Sequence, residues 1–318
     1  MRLLFITANR IGDAVLSTGL LRHLLERHPG ARVTVAAGRV AAPLFEAVPG
    51  LERLLAFDKR PFKAHWLGLW GATAFRRWDL AVDLRASAIA YFLPARRRLT
   101  MGRSDGGRHR VAELGALLGL DPPPAPGVWL APRHQAAAER LVPAGGPVLA
   151  VGPAANWSGK QWRGKRFTEL VARLTAPGGA LEGARVAVFA AGHERAQTQP
   201  LIDALPGERA LDLAGAVDLP CAAACLQRCR VFIGNDSGLM HLAAAAGTPT
   251  LGLFGPSEEW RYAPWGPHAA FVRTAESCAV LNARRAPLGQ PQETLMDGLS
   301  VETALAAAQD LLRRTAES

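Results

Sequence analysis

The chain has 318 residues, of which 49% are apolar, 20% are charged and only four are cysteines. This length exceeds what one hydrophobic core usually serves, so two domains are expected. Four cysteines are too few for a disulfide-framed secreted module and fit a reducing compartment. We find no uncharged apolar run of the roughly 18 residues that cross a bilayer, and no signal-peptide pattern at the start. We therefore expect a cytoplasmic protein, with attachment to a membrane surface left open.

The formal net charge of +10 belongs entirely to the first half of the chain. Residues 1–142 hold 21 Lys and Arg against 11 Asp and Glu, whereas residues 143–318 hold 16 against 16. A basic surface attracts phosphate-rich partners such as nucleic acid, anionic lipid or a phosphorylated glycan. An arginine-rich genomic composition is the alternative explanation. No recognised nucleic-acid module accompanies the charge, so we do not expect a nucleic-acid partner.

Short β-rich runs alternate with helical patterns along the first half. The patterns predict strands at 3–7, 32–37 and 80–84 and helices at 14–27 and 40–48. Such alternation is typical of a parallel sheet that helices cover on both faces.

The second half repeats this pattern after a Pro/Gly cluster at 143–147, which we take as the linker. Strands are predicted at 148–152, 185–190, 231–234 and 250–254, and helices at 167–174, 221–229, 239–246 and 301–314. The simplest architecture has two Rossmann-like, doubly wound α/β domains, 1–142 and 143–318, facing a central cleft. Ligands of such sheets bind beyond the carboxyl ends of the strands, so the loops after strands are the informative ones.

The strongest candidate site follows the strand at 231–234. This strand runs into Asn-Asp236-Ser237-Gly238, and a helix of small residues follows directly. The free backbone N–H groups and the positive end of that helix favour the binding of a phosphate group. Asp236 could hold a sugar hydroxyl, and His241 lies one turn into the helix. The alternative is that Asp236 or Ser237 only caps the helix, as either residue does well. A second loop, 254–260, follows the next strand and should line the same edge, unless it is an ordinary Gly-Pro turn.

The first strand is followed by Asn9-Arg10-Ile11-Gly12-Asp13 and lacks the G-x-G-x-x-G fingerprint of dinucleotide-binding proteins. Gly12 permits close approach of a ligand to the backbone. The Asp13 carboxylate at the start of a helix could be a general base or a helix cap, and chemistry alone favours the cap.

Two further loops carry polar candidates. The loop 152–162 contains Asn156 and Lys160, whose point charge suits a pyrophosphate, although a solvated surface lysine is the usual alternative. Gly192 and Glu194 follow the next strand, where an acidic residue can hold ribose hydroxyls or simply occupy the first turn of a helix.

These motifs occur in one order over nearly the whole chain, and together they resemble glycosyltransferase family 9, the ADP-heptose:lipopolysaccharide heptosyltransferases. The motifs are Ile11-Gly12-Asp13, Lys160-x-Trp162, Gly192-x-Glu194, Asp236-Ser237-Gly238-Leu239-x-His241 and Phe254-Gly255-Pro256. The resemblance implies a GT-B fold, inversion of the sugar anomer and no metal. It implies that Asp13 is the catalytic base, that Lys160 and the 236–241 loop hold the donor diphosphate and sugar, and that Glu194 holds the ribose.

One position departs from the family pattern, because Arg163 stands where members often have proline.

The chemistry otherwise agrees with the resemblance. An inverting transfer needs a base for the acceptor hydroxyl and positive charge on the leaving diphosphate. The chain has no Asp-x-Asp for a divalent ion, and Lys160 with a helix N-terminus could replace the ion.

We therefore expect transfer of a heptose-type sugar from an ADP-sugar to an anionic lipid-linked saccharide. The alternative is a non-catalytic protein of the same fold that binds a nucleotide sugar or a glycolipid. A Rossmann oxidoreductase is disfavoured by the missing glycine fingerprint.

Two features are weaker. Residues 59–78 interleave basic residues with Phe62, Trp66 and Trp70 at helical spacing, which suits either a membrane interface or a helix packed on the sheet. The basic surface also includes Arg96, Arg97, Arg98, Arg103, Arg108 and Arg110.

Cys221, Cys225 and Cys229 share one helical face, and we interpret them as buried core residues rather than metal ligands.

Overall fold

The structure is a computed structural model that describes residues 1–58, 65–102, 104, 106–287 and 290–316. The chain divides into two compact units, Met1–Ala131 and Pro132–Ser318. Each unit is an α/β domain with one parallel sheet, which confirms the predicted fold class. The division precedes the predicted linker, because helix Pro132–Leu141 packs against helix Leu219–Leu226 of the second unit.

The first unit contains a five-stranded sheet in the order β3-β2-β1-β4-β5, and every pair of neighbouring strands is parallel. Its three central strands are mostly buried and mostly apolar, as expected where helices cover both faces. The strands are β1 Arg2–Ile6, β2 Arg32–Gly38, β3 Leu51–Phe57, β4 Trp78–Asp83 and β5 Ala95–Thr100, and the helices are α1 Ile11–Arg27, α2 His65–Thr73 and α3 Arg110–Ala116.

The second unit contains a six-stranded parallel sheet in the order β11-β10-β9-β6-β7-β8. The strands are β6 Val148–Gly152, β7 Arg185–Val188, β8 Ala210–Asp212, β9 Val231–Asn235, β10 Thr250–Phe254 and β11 Ala269–Arg273. The helices are α4 Pro132–Leu141, α5 Gly164–Thr175, α6 Arg195–Asp203, α7 Leu219–Leu226, α8 Gly238–Ala245, α9 Glu259–Tyr262, α10 Cys278–Ala283 and α11 Val301–Arg314. The strand order reverses between β6 and β9, and this is where doubly wound sheets bind ligands.

The predicted helix at 40–48 is wrong. The structure has only a single 3-10 turn, Ala42–Phe45, with Pro43 in its first turn. Proline lacks the N–H that a longer helix needs at interior positions.

In the described part of the chain, no helix combines the length and the apolar character that crossing a bilayer requires.

Candidate functional site

The side chains of Lys160 and Asp236 meet at the carboxyl edge of the second sheet. Strands β6 and β9 are neighbours, with Gly152 paired to Gly234, so the loops that follow them come together. Lys160 Nζ donates to Asp236 Oδ2 at 2.6 Å. The Asp236 side chain is only 8% exposed, whereas that of Lys160 is 27% exposed, so the ammonium remains within reach of a ligand.

Asn235 holds the Lys160 loop against the sheet. Its side chain is completely buried: Oδ1 accepts from the Trp162 backbone N–H at 3.1 Å, and Nδ2 donates to the Pro153 carbonyl at 2.7 Å. The sequence analysis names this asparagine only as part of the loop and predicts no role for it. A buried asparagine needs partners for both ends of its amide, and here both partners lie on the loop that carries Lys160.

Helix α8 begins at Gly238, two residues after Asp236. Ser237 is its N-cap residue but makes no side-chain cap bond, and Ser237 Oγ is buried without a partner among the described residues. Asp236 pairs with Lys160 instead. Among the described residues, neither side chain therefore makes a hydrogen bond that caps the helix, although the Ser237 backbone occupies the N-cap position. Gly238 opens the helix and His241 is buried in it, so the N–H groups of the first turn and the positive end of α8 adjoin the ion pair.

The loop after β10 lies beside the same residues, as its position in the sequence predicts. Strands β9 and β10 are neighbours, and the Asp236 N–H donates to the Leu253 carbonyl at 3.2 Å. Ser257 in this loop is 7% exposed, and its Oγ has no partner in the part of the chain that the structure describes. The hydroxyls of Ser237 and Ser257 are thus two unused hydrogen-bonding groups on adjacent loops.

Glu194 and Gly192 lie at the end of the neighbouring strand β7. Glu194 Oε2 accepts from the Ala191 N–H at 3.0 Å and closes the turn before α6. The Glu194 carboxylate therefore stabilises the first turn of a helix, which was the alternative to binding ribose hydroxyls. A contact between Glu194 and the ribose stays a prediction. Asn156 is exposed on the loop after β6, where donor binding is likewise a prediction.

Arg163 has a clear structural role. Its guanidinium makes two hydrogen bonds to the Asp297 carboxylate, both 2.5 Å, and this pairing holds the pKa of Asp297 below its usual value. Arg163 is also the N-cap residue of α5. The position that departs from the family pattern thus ties the loop after Lys160 to the segment before α11.

In the first unit, Asp13 is the third residue of α1 and is partly exposed. The N-cap residue is Arg10, and the helix start has no side-chain cap bond. The cap interpretation of Asp13, which chemistry alone had favoured, is therefore wrong. Gly12 precedes it in the same turn. The Thr7 and Ser17 hydroxyls, 2.7 Å apart, join the second turn of α1 to the residue that follows β1.

A turn that sequence reasoning missed follows the neighbouring strand β4. Asp83 is completely buried and accepts hydrogen bonds from the Arg85 N–H at 2.8 Å, the Ser87 N–H at 3.1 Å and the Ser87 hydroxyl at 2.5 Å. Burial raises the pKa of Asp83. Ala86 has a φ of 50°, a conformation that costs a residue with a Cβ about 1–2 kcal/mol. A carboxylate at the end of a buried strand was the signal that could have revealed this turn.

The weaker sequence features are resolved in part. Residues 59–64, which include Phe62, and Arg103 lie outside the described residues. Trp66 packs against the apolar cluster on the first sheet, whereas Trp70 is exposed.

The three cysteines are buried, and burial raises the pKa values of Cys225 and Cys229 to about 12, as expected for core thiols. Among the described residues, no group of three or more His, Cys, Asp or Glu could hold a metal ion.

Comparison with known proteins agrees with the motifs. The model of glycosyltransferase family 9 (heptosyltransferase) matches residues 109–290. Lipooligosaccharide heptosyltransferase 2 of Haemophilus influenzae is 24% identical, and the match covers 99% of this chain and all of that protein. Lipopolysaccharide heptosyltransferase 2 of Escherichia coli is 26% identical over 81% of this chain and 83% of its own length. The structure of E. coli ADP-heptose lps heptosyltransferase II has a TM-score of 0.75 at 20% identity, covering 99% of this chain and 100% of that one.

Proposed function

Because the chain belongs to glycosyltransferase family 9, we propose that it transfers a heptose-type sugar from an ADP-sugar to a lipopolysaccharide core or a related lipid-linked saccharide. We further propose that the transfer inverts the anomeric carbon and uses no metal. The names of its relatives support the sugar and the acceptor class, since they are lipopolysaccharide and lipooligosaccharide heptosyltransferases.

The observation that carries this proposal is the Lys160–Asp236 pair beside the start of α8. A diphosphate at this edge would meet the Lys160 ammonium and the positive end of the helix. Asp236 supplies an acceptor for sugar hydroxyls, and the Ser237 hydroxyl, which has no partner among the described residues, supplies a second hydrogen-bonding group. We assign donor binding to these residues together with Gly238, His241, Asn156, Gly192 and Glu194.

The proposed reaction divides the chemistry between the two units. The acceptor hydroxyl oxygen forms a bond to the anomeric carbon, and its proton passes to the Asp13 carboxylate. The bond from the anomeric carbon to the diphosphate breaks, and its electron pair leaves on the phosphate oxygen. Lys160 stabilises the charge that develops there, which is the role a divalent ion fills in metal-dependent transferases.

Metal independence is tested by chelation. We expect transfer from ADP-heptose to a heptose-deficient lipopolysaccharide acceptor to continue in excess EDTA, because the proposed positive charge at the diphosphate belongs to the protein. The measurement is product formation by mass spectrometry, with and without EDTA. Loss of transfer in EDTA with recovery in Mg²⁺ or Mn²⁺ contradicts the proposal. Donor binding without transfer or hydrolysis indicates the non-catalytic alternative.

We also propose that the first unit contacts the cytoplasmic face of the inner membrane through an exposed aromatic patch. Trp70 Nε1 donates to the Phe92 carbonyl at 3.2 Å, and the rings of Trp70 and Phe75 are 6.2 Å apart. Phe75 and Phe92 are 87% and 70% exposed. The patch comprises Leu67, Trp70, Phe75, Tyr91 and Phe92, and the exposed arginines beside it in sequence are Arg76, Arg77, Arg96, Arg97 and Arg98.

Exposed aromatic side chains flanked by arginines are typical of surfaces that bind anionic bilayers. We therefore expect the protein to float with anionic liposomes but not with neutral ones, and flotation to weaken as salt rises. Replacing Phe75 and Phe92 by serine should abolish flotation. The matched control is Val280→Ser, which changes an exposed apolar residue of the second unit. Equal flotation on both liposome types, or none on either, contradicts the proposal.

A further inference from the structure

The strand order of the first sheet reverses between β1 and β4, which are neighbours with Ile6 paired to Asp83. Ligands of doubly wound sheets bind beyond the carboxyl ends of the strands at such a reversal. The loops after these two strands meet there, because Arg85 Nη1 of the second loop donates to Asn9 Oδ1 of the first. The first unit therefore has a candidate ligand site of its own, and Arg85 lies at it.

The turn that carries Arg85 is strained and firmly held. The next residue, Ala86, has a φ of 50°. Residues with a Cβ keep this conformation only where the surrounding structure imposes it, and they are concentrated at functional sites. Here the buried Asp83 carboxylate imposes it by accepting from the Arg85 N–H, the Ser87 N–H and the Ser87 hydroxyl. The turn thus fixes where the Arg85 side chain leaves the backbone.

The Arg85 guanidinium is also held in place, although by neutral groups. It lies over the Trp66 ring, 5.5 Å from the centroid, and it bonds to the Asn9 amide. A Cβ at Gly38 would lie 2.4 Å from the Asn9 Cα, so the glycine of β2 allows Asn9 its position. Among the described residues of the first unit, the ion pairs join other arginines and do not include Arg85.

A partly buried guanidinium without a carboxylate partner favours an anionic ligand. Arg85 is partly buried, and removing a charge from water costs free energy that pairing with an opposite charge recovers. Asn9 takes one N–H donor, and the other N–H groups of the guanidinium have no hydrogen-bond partner in the part of the chain that the structure describes. The planar fork of a guanidinium matches two oxygens of a carboxylate or a phosphate, which it binds through parallel hydrogen bonds.

We propose that Arg85 binds a carboxylate or phosphate group of the acceptor saccharide and thereby selects an anionic acceptor. The proposal rests on the proposed function, because it takes the acceptor to be a saccharide of the lipopolysaccharide type. The loop that Arg85 contacts through Asn9 leads into the first turn of α1, which carries the proposed base Asp13. A saccharide bound at Arg85 therefore adjoins the loop that leads to that base.

The test compares the acceptor KM of the full-length wild type and of Arg85→Gln. ADP-heptose is the donor, and a deacylated, heptose-deficient lipopolysaccharide saccharide is the acceptor. The saccharide is used untreated, dephosphorylated, with its carboxylates converted to amides, and after both treatments. For the untreated saccharide, Arg85→Gln should raise KM by about 10- to 150-fold, the range of a hydrogen bond to a charged group.

The treated acceptors identify the anion. The treatment that removes the bound group should raise the wild-type KM to that of Arg85→Gln and leave the KM of the variant unchanged. Dephosphorylation has this effect if the group is a phosphate, and amide formation has it if the group is a carboxylate. The Kd of ADP, measured by calorimetry, should be the same in both proteins, because the donor is assigned to the second unit.

The matched control is Arg27→Gln, which removes the same charge from the exposed last turn of α1 and should leave every acceptor KM unchanged. Arg85→Lys keeps the charge without the planar fork and should recover only part of the affinity. If Arg85→Gln melts early, Arg85→Met makes the same charge change with an unbranched side chain that still covers the Trp66 ring.

Two results overturn the proposal. The first is an unchanged acceptor KM in Arg85→Gln. The second is an equal rise of KM for all forms of the acceptor, which would mean that Arg85 only supports the turn. Failure of the proposed function is distinguishable from both, because the wild type would then transfer no sugar to the untreated saccharide. Wild-type transfer with an unchanged KM in the variant overturns the Arg85 site alone.

Discussion

Asp13→Asn is expected to lower the single-turnover rate of transfer by roughly 10²–10⁴, the usual contribution of general-base catalysis. Asparagine keeps the shape of the side chain but cannot accept the proton. The structure makes this a sharp test, because Asp13 is not the N-cap residue of α1 and makes no cap bond there. Its only expected structural contribution is a negative charge near the helix start, about 0.3–1 kcal/mol. Melting temperature and donor Kd should therefore change little.

Glu26→Gln is the control for this measurement. It makes the same carboxylate-to-amide change near the other end of α1, on an exposed residue, and should leave the rate unchanged. An Asp13→Asn enzyme within a few-fold of wild type would show that Asp13 is not the base. If that variant melts early, Asp13→Glu tests the same role with the charge retained.

The elements with the clearest local patterns could be predicted from the sequence. Val148–Gly152 and Thr250–Phe254 are short apolar runs followed by Gly or Pro, and Val301–Arg314 is an amphipathic helix that Ser300 caps; the structure has all three at the predicted bounds. The edge strands Leu51–Phe57 and Ala95–Thr100 were missed. They contain charged residues on partly exposed faces, and only pairing with a neighbouring strand makes them strands.

The candidate loops could also be predicted, because parallel strands bring their carboxyl ends to one edge. The side-chain pairs within those loops could not be predicted. Lys160 and Asp236 are 76 positions apart, and so are Asn9 and Arg85. A local pattern shows which residues follow a strand but not which side chains meet, since that depends on strand order. The pairing of Asp236 with a lysine rather than with its own helix is therefore a finding of the structure.

Lys160→Ala is expected to weaken ADP binding by about 10- to 150-fold, which corresponds to the roughly 1.5–3 kcal/mol of a hydrogen bond to a charged group. The loss should be measured by calorimetry with ADP, AMP and adenosine. If Lys160 contacts the diphosphate, the loss should be large for ADP and nearly absent for adenosine. An equal loss for all three ligands would show that the substitution disturbs the whole loop rather than the phosphate contact.

The ion pair requires a second variant, because Lys160→Ala also leaves the buried Asp236 carboxylate without its cation. An unpaired buried charge is destabilising, so this variant should melt several degrees below wild type, by the roughly 2–4 °C per kcal/mol of a domain of this size. Adding Asp236→Asn removes that charge. The double variant should therefore recover most of the melting temperature, yet it should still bind ADP weakly, because nothing replaces the ammonium at the phosphates. Recovery of ADP affinity together with stability would instead mean that Lys160 serves only to neutralise Asp236, and that the donor diphosphate is held by the start of α8.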